Sequence, residues 1–230
     1  MKHLALLLAC ALLPAAAGAQ ITPPTGKPAV FDDGASHQLS AGYWNGQLDF
    51  PGVYCLQFPE PDKAASLSTS FVSGGSVALA QVEYPPDLIV HIVASTMPAG
   101  RDGAEEHRLQ LQRAQASAAA SPDLIQAAVS ESAMGPVIIQ RYTNVALRGQ
   151  GQAMFPLEKQ FYDSDSTRTV AQSHLFARPA DRFEVSALAV LGEQADAAGI
   201  ALARQRVQQV AAELAGSLQQ CTGQRPARMP

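Results

Sequence analysis

The chain has 230 residues, 47% of them apolar, with 16 Lys and Arg against 20 Asp and Glu for a formal charge of −4. That balance excludes the concentrated basic footprint that nucleic-acid binding requires, and it leaves no polybasic patch for anionic lipid. The length is enough for one domain with a sizeable core, and three cysteines are too few for a disulfide-dense mini-protein.

Met1, Lys2 and His3 form a short positive start, Leu4 to Leu13 is an apolar run, Pro14 breaks it, and Ala17-Gly18-Ala19 supplies small residues. This order is that of a secretory signal peptide over 1–19, cleaved after Ala19. It predicts an exported chain, periplasmic or secreted, and the Ala-, Gln- and Arg-rich usage suits a Gram-negative bacterium. The run is shorter than the roughly 20 residues that a spanning helix needs. No later stretch approaches that length, so no integral membrane span is expected. Leu7-Leu8-Ala9-Cys10 resembles a lipoprotein cleavage box, but the apolar run continues past Cys10, so a lipid anchor there is disfavoured.

Once the leader is removed, Cys55 and Cys221 remain. In an oxidising compartment they read first as one disulfide, with two buried thiols as the alternative. A loop this long would contribute on the order of 4–5 kcal/mol in the chain-entropy account. Neither thiol has metal-ligand spacing, and no metal or cofactor is expected.

Residues 20–42 read as an irregular, proline-rich tether, because each proline removes a donor and fixes φ. A single domain is expected over 43–221, with a flexible tail over 222–230. Val53 to Phe58 is a strand candidate. Ser68 to Val72 and Val77 to Tyr84 flank Gly74-Gly75, which predicts a hairpin. Leu88 to Ala94 is apolar on both alternations, as suits a central strand covered on both faces. Asp102 with Glu105 three residues on is a capping box opening a helix to about Ala119. Ser121-Pro122 predicts a second helix ending before Gly135-Pro136.

Strands are then expected over Val137–Ala146, Ala153–Tyr162, Thr167–Ala177 and Arg182–Leu191, forming an antiparallel meander. Last, Ile200, Ala203, Val207, Val210, Leu214 and Leu218 recur at three- and four-residue steps and define one apolar helical stripe. If that helix continues, Cys221 lies on the stripe and a bond to Cys55 pins it to the first strand. The class is therefore α+β: an antiparallel sheet, hairpin plus C-terminal meander, packed by two or three helices, the last of them long. From Trp44 to Cys221 this element order resembles the PsbP-like fold, also seen in DcrB-type bacterial proteins. The resemblance implies helices packed on an antiparallel sheet and an accessory, partner-binding role. It carries no functional residue.

No nucleophile elbow, phosphate loop or zinc-binding His-Glu-x-x-His occurs. Gly149-Gln150-Gly151 lacks a third glycine and reads as a turn. His37, His91, His107 and His174 are scattered. His91, in the most apolar strand, reads as a core or cross-strand histidine, although a buried histidine can also serve as a base. His107 reads as solvated surface and His174 as outward-facing. Asp163-Ser164-Asp165-Ser166-Thr167 invites a phosphoryl-transfer or Ca²⁺ reading, but another strand follows at once. The sixth and twelfth positions hold Arg168 and His174 instead of an EF-hand's glycine and glutamate, so a turn is expected. Tyr43, Trp44, Phe161 and Tyr162 are candidate binding anchors, with a core role for Trp44 the simpler reading. The expectation is thus a non-enzymatic module, accessory or inhibitor-like, that binds another envelope or secreted protein. The alternative is a hydrolase of envelope polymers with a site assembled only in space.

Overall fold

The computed structural model describes residues 27–30, 36–38, 44–50, 54–72, 77–97, 99–146, 168–179, 181–192 and 194–220. Its twelve described strands are β1 (Lys27–Val30), β2 (Ser36–Gln38), β3 (Trp44–Phe50), β4 (Tyr54–Gln57), β5 (Ser66–Val72), β6 (Val77–Tyr84), β7 (Leu88–Thr96), β8 (Ile125–Ser132), β9 (Gly135–Ala146), β10 (Arg168–Ala177), β11 (Asp181–Leu191) and β12 (Gln219–Gln220). The two described α-helices are α1 (Gly103–Ala120) and α2 (Ala197–Ser217), and Pro61–Lys63 forms one 3-10 turn. Eight strands form an antiparallel sheet in the order β2-β5-β6-β7-β11-β10-β9-β8, and β1-β3-β4-β12 form a smaller one. The α+β class and the antiparallel sheet follow the sequence reading.

The hairpin pairs Val72 with Val77 and runs on to Ser66 opposite Glu83. β7 lies inside the sheet between β6 and β11, and Leu88, Ile89 and Val90 are buried on successive, opposite faces. The meander β8-β9-β10-β11 returns the chain to β7. Helix α1 opens as expected, with the Asp102 carboxylate accepting from the Glu105 N–H at 2.8 Å. Helix α2 opens in the same way, with Asp196 accepting from the Gly199 N–H at 2.7 Å.

Three local expectations are corrected. The stretch after Ser121-Pro122 is a strand, not a helix. Ser121 closes α1 through its N–H to the Ser117 carbonyl, and Ile125 then donates to Ser121, turning the chain into β8. The pairing with β9 over the whole strand outweighs the helix propensity of Ala and Gln. Gly135, expected beyond a helix end, is instead the positive-φ residue of a tight turn in which Ser132 Oγ bonds Met134 N and Gly135 O. Next, β1 and β2 lie within 20–42: β1 pairs in parallel with β3, and β2 with β5. Finally, α2 ends at Ser217, before Cys221, and β12 pairs directly with β4, Gln219 opposite Cys55. Cys55 is disulfide-bonded; Cys221 lies outside the described residues.

The main core lies between the α2 face of the large sheet, α2 and the small sheet. Val207, Ala211 and Leu214 of α2 share one buried cluster with Val90, Val185 and Ala187 of the large sheet and with Leu48, Leu56 and Phe58. Gly46 lets the small sheet fold tightly. At its φ of +80° a Cβ would stand 2.7 Å from Gln57 Nε2 and 2.9 Å from the Phe58 carbonyl. Ser217 Oγ ties the end of α2 to both backbone groups of Gln57, and Arg206 reaches Asp87 in the β6–β7 turn at 2.8 Å. Among the described residues no helix is long and apolar enough to cross a membrane.

Candidate functional site

Register and the two-residue alternation of side chains assign each residue to a face of the large sheet. On the α2 face, Val170, Gln172, His174 and Phe176 of β10 stand opposite Thr143, Arg141, Ile139 and Val137 of β9. Within this mostly apolar face, Gln172 is 3% exposed and His174 6%. His174, expected to face outward, is therefore buried. It shares the parity of Val170 and Phe176, which must point into the core.

The polar atoms of this pair are chained. Arg141 Nε donates to Gln172 Oε1 at 2.9 Å, and Gln172 Nε2 lies 2.8 Å from His174 Nε2. Arginine can only donate, so the glutamine oxygen faces Arg141 and its amide N–H faces the imidazole. His174 Nε2 is then an acceptor and the ring proton sits on Nδ1. Burial, aided by the Arg141 charge, pushes the His174 pKa down from 6.5 to about 4. The chain thus holds a neutral imidazole inside and fixes one arginine outside.

Arg141 and Arg204 of α2 line one pocket of about 250 Å³, together with Gln126, Thr143, Val170 and Gln208 among others. No acidic side chain among the described residues lines it. Among the described residues, neither arginine has a carboxylate within ion-pair distance.

The opposite face carries α1 and a different arrangement. Glu106, wholly buried on α1, accepts from Arg101 at 2.9 Å and from Arg182 at 3.2 Å. Burial raises its pKa, but the two guanidinium bonds outweigh that and hold it below the usual value. Arg182 also donates to Ser95 at 3.1 Å. Through Arg182 this clamp ties the start of α1, which packs on β8, β9 and β10, to β11 and, by way of Ser95, to β7. A polar row crosses the strands nearby, with Gln81, His91, Ser186, Ser173 and Gln140 in register. Ser173 and Ser186 hydroxyls are 2.7 Å apart, and Ser186 donates to Glu184 at 2.7 Å. With the Ser186 proton on Glu184, Ser173 is the donor of that pair.

At one end of the sheet stands β8, the last strand in the order. The Thr143 N–H to Leu124 carbonyl bond, 2.8 Å, makes 124 and 143 a hydrogen-bonded pair. By antiparallel alternation Gln126, Ala128 and Ser130 turn their backbone groups to β9, whereas Ile125, Ala127, Val129 and Glu131 turn theirs away from the sheet. The strand contains no proline, lysine, arginine or bulge, and Val129 is 48% exposed. The other edge, β2, has only three residues.

His91 lies in the row beside Ser186, His107 is half-buried on α1 instead of fully solvated, and β2 contains His37. Trp44 begins β3. Tyr43, Phe161, Tyr162 and the Asp163–Thr167 segment lie outside the described residues. The described residues do not join a histidine, a carboxylate and a nucleophile in one pocket. The pocket on the α1 face, about 230 Å³, is lined by Glu184, Arg182 and Gln110 but not by His91 or Ser186. Nor do they gather three metal-ligating side chains. Arg141 and Gln172 were not singled out in the sequence; the parity of Gln172 with Val170 was the signal available. Compared with protein-family models, curated proteins and solved structures, the chain matches none.

Proposed function

We propose that this chain is an exported, non-enzymatic module that binds another envelope or secreted protein, and that the partner adds a strand to β8. The open edge carries this reading. Sheet edges are ordinarily blunted by shortness, charge, proline or bulges; over its eight residues β8 has no proline or bulge and a single charge, Glu131, near its end. An edge left in that state is a template for an extended segment, whose main chain pairs with the outward groups of Ile125, Ala127, Val129 and Glu131. The character of residues 1–19 supports export. The likeness in element order to PsbP-like proteins supports an accessory role. Cys55 fits the same setting: of the two other cysteines, Cys10 lies in the expected leader and Cys221 directly follows β12, so we assign the bond to Cys55 and Cys221.

The test is capture of the tagged protein from its native envelope after mild crosslinking, in parallel with Val129→Pro. Proline at 129 removes an outward N–H while leaving the β9 ladder intact. A stoichiometric partner held by the wild type and lost by Val129→Pro supports the reading. A partner retained equally by the variant, or none at all, rejects it.

A further inference from the structure

We propose that the pocket between β8, β9 and α2 is an oxyanion subsite, which takes a carboxylate or phosphate between Arg141 and Arg204. Arg141 and Arg204 share a pocket that holds no counter-charge among the described residues, and a bound anion relieves the repulsion between the two cations. The guanidinium of Arg141 keeps its terminal nitrogens for such a ligand, because its link to the sheet is made through Nε to Gln172. Gln172 is itself 3% exposed and anchored on His174, so the arginine is held by a built chain and not by chance on a surface. Gln126, Gln208 and Thr143 supply neutral hydrogen-bonding groups around the anion. The fork of donors on each arginine suits two-oxygen acceptors.

The pocket also opens onto the proposed docking edge, and its ligand class deepens that reading. Gln126 of β8 lines it and stands opposite Arg141 in register. A strand added outside β8 would place the residue paired with Gln126 on the same face, one strand spacing of about 4.8 Å further out. An acidic side chain there extends back towards the two arginines. The shared chemistry is the oxyanion; its source is an acidic residue of the added strand or a free small anion.

The experiment is a calorimetric and amide-NMR titration of the purified protein with glutarate, with inorganic phosphate, and with a strand-forming peptide bearing a central glutamate or, in its twin, a glutamine. Saturable binding of glutarate or phosphate, weakened at least tenfold by Arg204→Glu, is the expected result. Arg204 is exposed on α2, so that variant keeps its fold, and thermal melting checks this. No saturable binding of any probe, or binding that Arg204→Glu leaves unchanged, overturns the subsite. Preference for the glutamate peptide, abolished by Val129→Pro, assigns the anion to an added strand. Small anions bound without peptide discrimination keep the pocket and defeat strand addition.

Discussion

The two faces of the large sheet handle polar groups in opposite ways. Under α2 the interface is apolar, with Val207, Ala211 and Leu214 fully buried, and its few polar side chains form one line, His174 to Gln172 to Arg141, that leads out to a pocket. Under α1 charge is distributed: Glu106 is neutralised by two arginines, and a row of Gln, His and Ser crosses the strands. In the α1 arrangement both clamp cations, Arg101 and Arg182, meet the Glu106 carboxylate, although Gln81 Oε1, Gln110 Oε1 and His107 Nδ1 stay buried without a hydrogen-bond partner. The α2 arrangement ends in guanidinium groups with no carboxylate beside them among the described residues. The difference teaches where to look for binding: charge that is neutralised internally holds the fold, whereas charge that is fixed at one end and open at the other is presented to something else.

Breaking the apolar interface should have the largest effect. Leu214→Ala is expected to lower stability by about 2–5 kcal/mol, read from urea midpoints, because it opens a cavity at the centre of the α2 contact. A loss below 1 kcal/mol would show that α2 does not hold the main core.

The buried histidine should follow as a pH effect. Its pKa falls from 6.5 to about 4 on folding, so the unfolded chain binds the extra proton between those values. Its contribution is complete above pH 6.5 and is lost as the pH falls towards 4, by at most about 3 kcal/mol. His174→Leu should flatten that slope in denaturation series across this range; an unchanged slope would place its origin elsewhere.

On the α1 face, Glu106→Gln leaves Arg101 and Arg182 without their counter-charge. Both arginines are about one-third exposed, so water absorbs part of the cost and about 1–3 kcal/mol is expected. Because the carboxylate is held below its usual pKa, the wild type should lose this contribution as acid protonates it, and the variant should not. Smallest of all, Val129→Pro on the open edge should change stability by under about 0.5 kcal/mol while removing the partner. A large destabilisation there would mean that β8 is part of the fold's support.

Much of this fold is legible in local sequence because the relevant patterns are strong. The runs on either side of Gly74-Gly75, the doubly apolar Leu88–Ala94 and the stripe from Ala203 to Leu214 each have a single period that tertiary contacts reinforce. The edge strand was not legible, since Ile125–Ser132 alternates only weakly and its Ala and Gln favour helix; its strand character comes from β9, paired through the Ser132–Gly135 turn. Nor were β1 and β2 visible among prolines, because strands of four and three residues carry almost no periodicity. The site was legible only in part. Arg204 falls off the apolar stripe of α2, whereas for His174 the parity that decides its face is with Val170 and Phe176. Parity with those two places Gln172 and His174 inside, and the line to Arg141 follows only once β9 is laid beside β10.

The most direct test of the account is site-specific photocrosslinking in native cells, with a photoreactive amino acid at position 129 on β8 and, separately, at the exposed position 112 on α1. The account predicts one dominant protein adduct from position 129 and none from position 112. No adduct from 129, or the same adducts from both positions, would contradict it.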